Sequence, residues 1–153
     1  MVWACFTVVG FGPLVVVKGN MNQDVYVDTL AKHFHPWYKE LHEQHDREFI
    51  LQEDGATCHT GAYARWWKKG HQIDGFEYWP AQSPDLNPIE HVWWELEKRL
   101  AAKRHTIQNV EELKALILQE WALLGLDLAE TLVDSMPSRC QAVIKAKGGH
   151  TKY

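Results

Sequence analysis

At 153 residues the chain is one domain long and can bury roughly 70% of its unfolded surface, so it needs no disulfides to hold a core. Its 46% hydrophobic and 24% charged composition excludes disordered and collagen-like classes, and a net charge of −4 excludes a uniformly basic nucleic-acid coat while leaving room for a local basic patch. Cys5, Cys58 and Cys140 are odd in number and lack motif spacing, which reads as reduced thiols of an intracellular protein.

The opening run MVWACFTVVGFGPLVVV is neither a signal peptide nor a membrane span. No Lys or Arg precedes it, it falls short of the ~20 apolar residues a bilayer needs, and Gly10, Gly12 and Pro13 interrupt it. It predicts a hairpin, Val2–Val9 and Leu14–Lys18, joined by a Gly-Phe-Gly-Pro turn. Asn22 then caps a helix whose stripe is Tyr26, Leu30, Phe34, Trp37, Tyr38 and Leu41, with Pro36 as a kink or break. Glu48–Glu53 predicts a short buried strand closed by Asp54-Gly55. Thr60 is the expected cap of a helix over Ala62–Lys69, and Gln72–Trp79 a further strand. A loop over Pro80–Pro88 leads to a helix reaching about Ala102. Helices over Asn109–Leu124 and Leu126–Ala146 come next, the last interrupted near Pro137, and the tail Gly148–Tyr153 is expected to fray. This order predicts an α/β fold, a sheet with helices packed on it, in one domain over 1–147.

Eight tryptophans exceed what one small core hides, so several are expected at the surface or an interface. Trp66-Trp67 before Lys68-Lys69 suits either base stacking or, more commonly, anchoring of a helix to the core. His42/His45 and Cys58/His59 have no matching second pair and do not make a zinc site.

Two carboxylates stand out by position. Asp54 follows a strand at its carboxyl end, where open α/β sheets bind ligands, although Asp-Gly is also an ordinary turn. Glu90 follows Asn87 and Pro88, where it could complete a capping box or sit at the edge of the helix's buried stripe, Ile89, Trp93, Leu96 and Leu100. There is no P-loop, no G-x-S-x-G elbow and no dinucleotide fingerprint.

Together, LQEDGATCHT, WPAQSPDLNPIEHVWWELEKRL and SMPSRCQAVIKAKGGHTKY resemble the DDE transposases of the mariner type. VWACFTVVGFGPLVVVKGNMN resembles the segment ahead of that family's second acid, so the resemblance covers essentially the whole chain. It implies a ribonuclease H-like mixed sheet with flanking helices. It also implies metal-dependent DNA cleavage and strand transfer, with three acids holding two divalent ions, Mg²⁺ or Mn²⁺. Asp54 matches the second acid and Glu90 the third, as catalytic residues and metal ligands, and His59 matches the His that commonly follows the second acid. The family's first Asp and its central strand lie upstream of Val2, so the resemblance implies an amino-terminal truncation with weak metal binding and no activity alone. Asp24 and Asp28 suit a helix start better than a replacement for that acid.

Lys98, Arg99, Lys103 and Arg104 extend the Glu90 helix and are candidate phosphate contacts, as is the basic stretch Arg139, Lys145, Lys147 and Lys152. The implied partners are DNA, as transposon ends, and a second transposase chain joined through open strand edges, in the nucleus and away from membranes. A non-catalytic DNA-binding or regulatory module, or a transposon remnant without a selected role, is the competing expectation.

Overall fold

A computed structural model describes all 153 residues, Met1–Tyr153. The chain forms two compact units, one of Met1–Ala4 with Val15–Ser83 and one of Cys5–Leu14 with Pro84–Tyr153.

The hairpin forms, but its turn lies earlier than expected. Strand β1 is Val2–Thr7 and β2 is Gly10–Val16, so Val8-Val9 make the turn and Gly-Phe-Gly-Pro lies within β2. Gly10 takes φ 141°, a backbone state that a side chain resists, and it does so where the chain leaves the turn. The Thr7 hydroxyl accepts from the Val9 amide at 3.2 Å. Pro13, lacking a donor, fits because a two-stranded sheet leaves each strand one open side.

In the first unit, Asn22 caps α1 (Gln23–Thr29) as expected, accepting from the Val25 amide at 2.9 Å. Pro36 does not break the helical path. A π-helical turn over Leu30–Phe34 widens the backbone, and α2 (His35–Gln44) continues with Pro36 in its first turn. The wide turn satisfies the His35 amide on the Leu30 carbonyl, five residues back. Tyr26, Leu30, Phe34, Tyr38 and Leu41 are all buried, and Phe34 receives the Trp3 ring edge-on at 6.1 Å.

The predicted strands 48–53 and 72–79 are a correction. They reduce to one parallel bridge, Leu51 to Gly75, with the Leu51 amide donating to the Asp74 carbonyl at 2.8 Å. Neither segment joins any other strand, and a strand with a single half-exposed neighbour gains too little to extend. Gly75 suits the bridge because a Cβ there would sit 3.1 Å from the Leu51 carbonyl oxygen.

A single turn, α3 (Thr57–Thr60), precedes α4 (Ala62–Gly70). Thr60 does not cap α4, because its hydroxyl is spent on the Ala56 carbonyl. Gln23 of α1 does so instead, its side-chain oxygen accepting from the Tyr63 amide at 3.2 Å. Only glycine at 61 leaves room for that oxygen, since a Cβ would meet it at 1.8 Å.

Burial, reinforced by His71 and Lys39, holds His35 below its ordinary value of 6.5. The unfolded chain therefore takes this proton more readily than the folded one. The stability His35 contributes is full above about pH 6.5 and is lost as pH falls below it. We expect melting temperature to decline between about pH 7 and 5, and less steeply in His35→Gln. Equal slopes in the two proteins would refute the assignment.

In the second unit, Pro84–Leu86 make a 3₁₀ turn ahead of α5 (Ile89–Ala102). The remaining helices are α6 (Val110–Ala122), α7 (Leu126–Asp134) and α8 (Met136–Lys145), the break near Pro137 falling at Ser135. Asn109 caps α6, accepting from the Glu112 amide while Glu112 accepts from the Gln108 amide. Val92, Leu96, Trp121, Leu124, Ala129 and Leu132 form the core. Arg139 is also buried, only 1% exposed, so it is not available to phosphate as expected. It donates to the Asp85 carbonyl and the Ser135 hydroxyl, and its guanidinium lies over the Tyr153 ring at 4.8 Å. The tail expected to fray adds a hydrogen bond from the Thr151 hydroxyl to the Asp85 carboxylate at 3.0 Å.

Candidate active site

Asp54 lies three residues past the Leu51 bridge and is about half exposed. Its Oδ1 accepts from the Ala56 amide at 3.0 Å, an Asx turn, and meets His59 Nδ1 at 2.7 Å. The turn reading and the ligand reading are thus compatible. One oxygen orders the loop, and the other makes no hydrogen bond within the chain.

Behind this pair lies a polar network that the sequence did not disclose. Tyr26 hydroxyl donates to Glu53, and Lys68 donates to the other oxygen of the same carboxylate. Lys68 also donates to the His59 carbonyl at 3.2 Å, and the Tyr26 and His59 rings lie 4.5 Å apart. Burial pulls the Lys68 ammonium below its ordinary value, which makes the Glu53 partner necessary. Tyr26 was legible only as a stripe residue, and Lys68 only as one of a basic pair. The single hint of Glu53 was an acid ending a run expected to be buried.

Glu90 lies in the first turn of α5, exposed, with its carboxylate in no hydrogen bond or ion pair. The capping-box reading fails: α5 starts from Pro88 without a side-chain cap, and the Glu90 amide donates to the Asn87 carbonyl. Of the stripe expected on α5, Leu96 is buried and Ile89, Trp93 and Leu100 are half-buried, while the buried Val92 was missed. Asp54 belongs to the first unit and Glu90 to the second.

Of the α5 cations, Lys98 and Arg99 pair with Glu95, and Lys103 pairs with the buried Glu120. Arg104 is exposed and unpaired. The two tryptophans on α4 take opposite roles, Trp67 buried at 7% and Trp66 exposed at 69%.

For a hard divalent cation the donor type at Asp54 is right: a half-exposed carboxylate, one oxygen immobilised and one open. Glu90 offers a second free carboxylate. Nowhere in the chain do three His, Cys, Asp or Glu side chains converge as a complete ligand set.

Residues 5–114 match the family model described as DDE superfamily endonuclease. Over all 153 residues the chain is 40% identical to the transposable element Tcb1 transposase of Caenorhabditis briggsae and 38% to the Tc1 transposase of Caenorhabditis elegans. It spans 54% of each, about half the length of the curated relatives it matches. Among solved structures, the Mos1 transposase catalytic domain with Raltegravir and Mn superposes with TM-score 0.86 at 17% identity, covering 99% of this chain and 76% of that one. The Mos1 mariner paired end complex with Mn gives 0.81 at 16% identity, covering 99% and 44%. That likeness supplies the fold, ribonuclease H-like as expected, here with a two-stranded sheet as its ordered β element. With the family model matched over most of its length, this chain belongs to the DDE superfamily endonucleases, in the company of the Tc1/mariner transposases.

Proposed function

We propose that the chain is catalytic-domain material of a transposase that cuts and joins DNA in the nucleus, with Asp54 and Glu90 as ligands for Mg²⁺ or Mn²⁺. The observation that carries this is Asp54 itself: its Oδ1 is pinned by the Ala56 amide and His59, and its second oxygen is left free. Bound metal would supply charge neutralisation at the phosphodiester being broken. The chain's own residues do the rest. Ala56 and His59 hold one carboxylate oxygen of Asp54, and Tyr26 and Lys68 hold Glu53 in the segment beside it. Because no three His, Cys, Asp or Glu side chains form a ligand set, we expect metal binding to be weak and the 153 residues alone to leave DNA uncut.

The test is a thermal melt with and without Mn²⁺. A ligand confined to the folded state raises the midpoint. The rise should appear at millimolar metal, shrink in Glu90→Gln and vanish in Asp54→Asn. An identical rise in all three proteins would place the metal elsewhere.

A second reading rests on the hairpin. Each strand of the two-stranded sheet is paired on one side only, a surface suited to strand addition by another transposase chain. A concentration-dependent shift in sedimentation supports it, and a monomer at all concentrations removes it.

A further inference from the structure

Helix α4 shows water an unusual face. Trp66 is 69% exposed and stacked on Tyr63, itself exposed, at 5.9 Å and 19° between rings. At about 100° per residue, Arg65, Lys69, Trp66 and Tyr63 follow one another around an arc of about 160°, opposite the buried Ala64 and Trp67. A stripe of cations therefore runs beside a stripe of rings. Arg65 and Lys69 have no carboxylate partner, whereas Lys32, Lys68, Lys103 and Lys114 each do. The same two cations border a cleft of about 220 Å³ that also holds Phe76, another exposed ring. Of the acids there, Glu53 is neutralised by Lys68 and only Asp74 remains, so the cleft is net positive on a chain of charge −4.

We propose that this face and its cleft form a binding surface for single-stranded DNA, with phosphates on Arg65 and Lys69 and unpaired bases stacked on Trp66 and Tyr63. Free cations complement a phosphate backbone, and flat exposed rings complement bases that a duplex would keep stacked inside. The proposal rests on the reading of the chain as a DNA-processing domain, but it does not use Asp54 or Glu90.

The experiment is fluorescence anisotropy of a fluorescein-labelled oligo-dT with the full chain, without metal and across a salt series. Duplex of the same length serves as comparison. Single strands should bind more tightly than duplex and should quench tryptophan emission. Trp66→Ala should weaken binding roughly 5- to 100-fold. Arg65→Ala with Lys69→Ala should lower the log–log salt slope by about 1.4. Both positions face solvent, so the melting midpoint should stay put. Should Trp66→Ala nonetheless unfold, Trp66→Leu gives the same contrast.

Unchanged affinity in the Trp66 variant, or an unchanged slope in the double variant, overturns the proposal. Loss of self-association in Trp66→Ala without loss of DNA affinity also overturns it, and assigns the face to a protein contact. Asp54→Asn separates the two hypotheses. It should lose the metal response and keep oligonucleotide binding, so either can fail while the other stands.

Discussion

Trp121→Ala should cost about 3–5 kcal/mol of folding stability, among the larger effects available to one substitution in this chain. The indole is 6% exposed and joins two parts of the second unit's core. Phe11 of β2 meets it edge-on at 5.1 Å, and Trp93 of α5 lies tilted against it at 5.7 Å. Its Nε1–H donates to the Gly12 carbonyl at 2.9 Å, a buried bond 109 residues apart in sequence. Packing and hydrogen bonding can be separated. Trp121→Phe keeps an aromatic ring but leaves the Gly12 oxygen unsatisfied, a loss of about 1–3 kcal/mol. Urea unfolding measures both. A loss below about 1 kcal/mol in Trp121→Ala would show that the hairpin and α6 are not joined through this ring.

The second large effect is expected at Glu53. Glu53→Ala strips Lys68 and the Tyr26 hydroxyl of their shared acceptor and leaves an ammonium, only 14% exposed, without a counterion. Removing one member of a buried pair costs about 3–5 kcal/mol, far more than the pair is worth against an apolar substitute. Lys68→Met should therefore hurt on its own yet partly relieve Glu53→Ala. A double-mutant cycle should report a coupling well above the few tenths of a kcal/mol seen between independent sites. Tyr26→Phe should lose only about 1 kcal/mol, because Lys68 still satisfies the carboxylate. Additive losses would mean that the network is not a unit. Coupling would mean that the floor beneath Asp54 is held by residues from three segments, Tyr26 on α1, Glu53 in the loop and Lys68 on α4.

The features legible in advance obey a physical division. Helices carry their signals locally, so Asn22 was legible as a cap and Tyr26-Leu30-Phe34 as a buried stripe. Strands depend on neighbours that no local window contains. Ile50 and Leu51 look like a strand core, yet the segment holds one bridge. The hairpin was legible but its turn was not, because Gly12-Pro13 imitates a turn while Gly10 alone provides the positive φ. Asp54 and Glu90 stood out by motif, whereas the network behind Asp54 joins residues 27 and 15 positions apart. Adjacent Trp66 and Trp67 differ simply because neighbours on a helix point about 100° apart.

The π-turn over Leu30–Phe34 bears on how this gene can change. Tyr26, Leu30, Phe34 and Tyr38 recur every fourth residue, and on a regular helix such a row slips by about 40° at each step. The wide turn takes back part of that slip, which keeps Tyr38 and Leu41 buried with Tyr26. Loss of one codon within 30–34 would take out the extra residue and restore a regular helix, its buried positions then spaced 4, 3, 4 and 3 residues apart and still in phase with the core. A scan of single-residue deletions across 23–44 should therefore show its greatest tolerance at that one turn, and equal intolerance throughout would count against this reading.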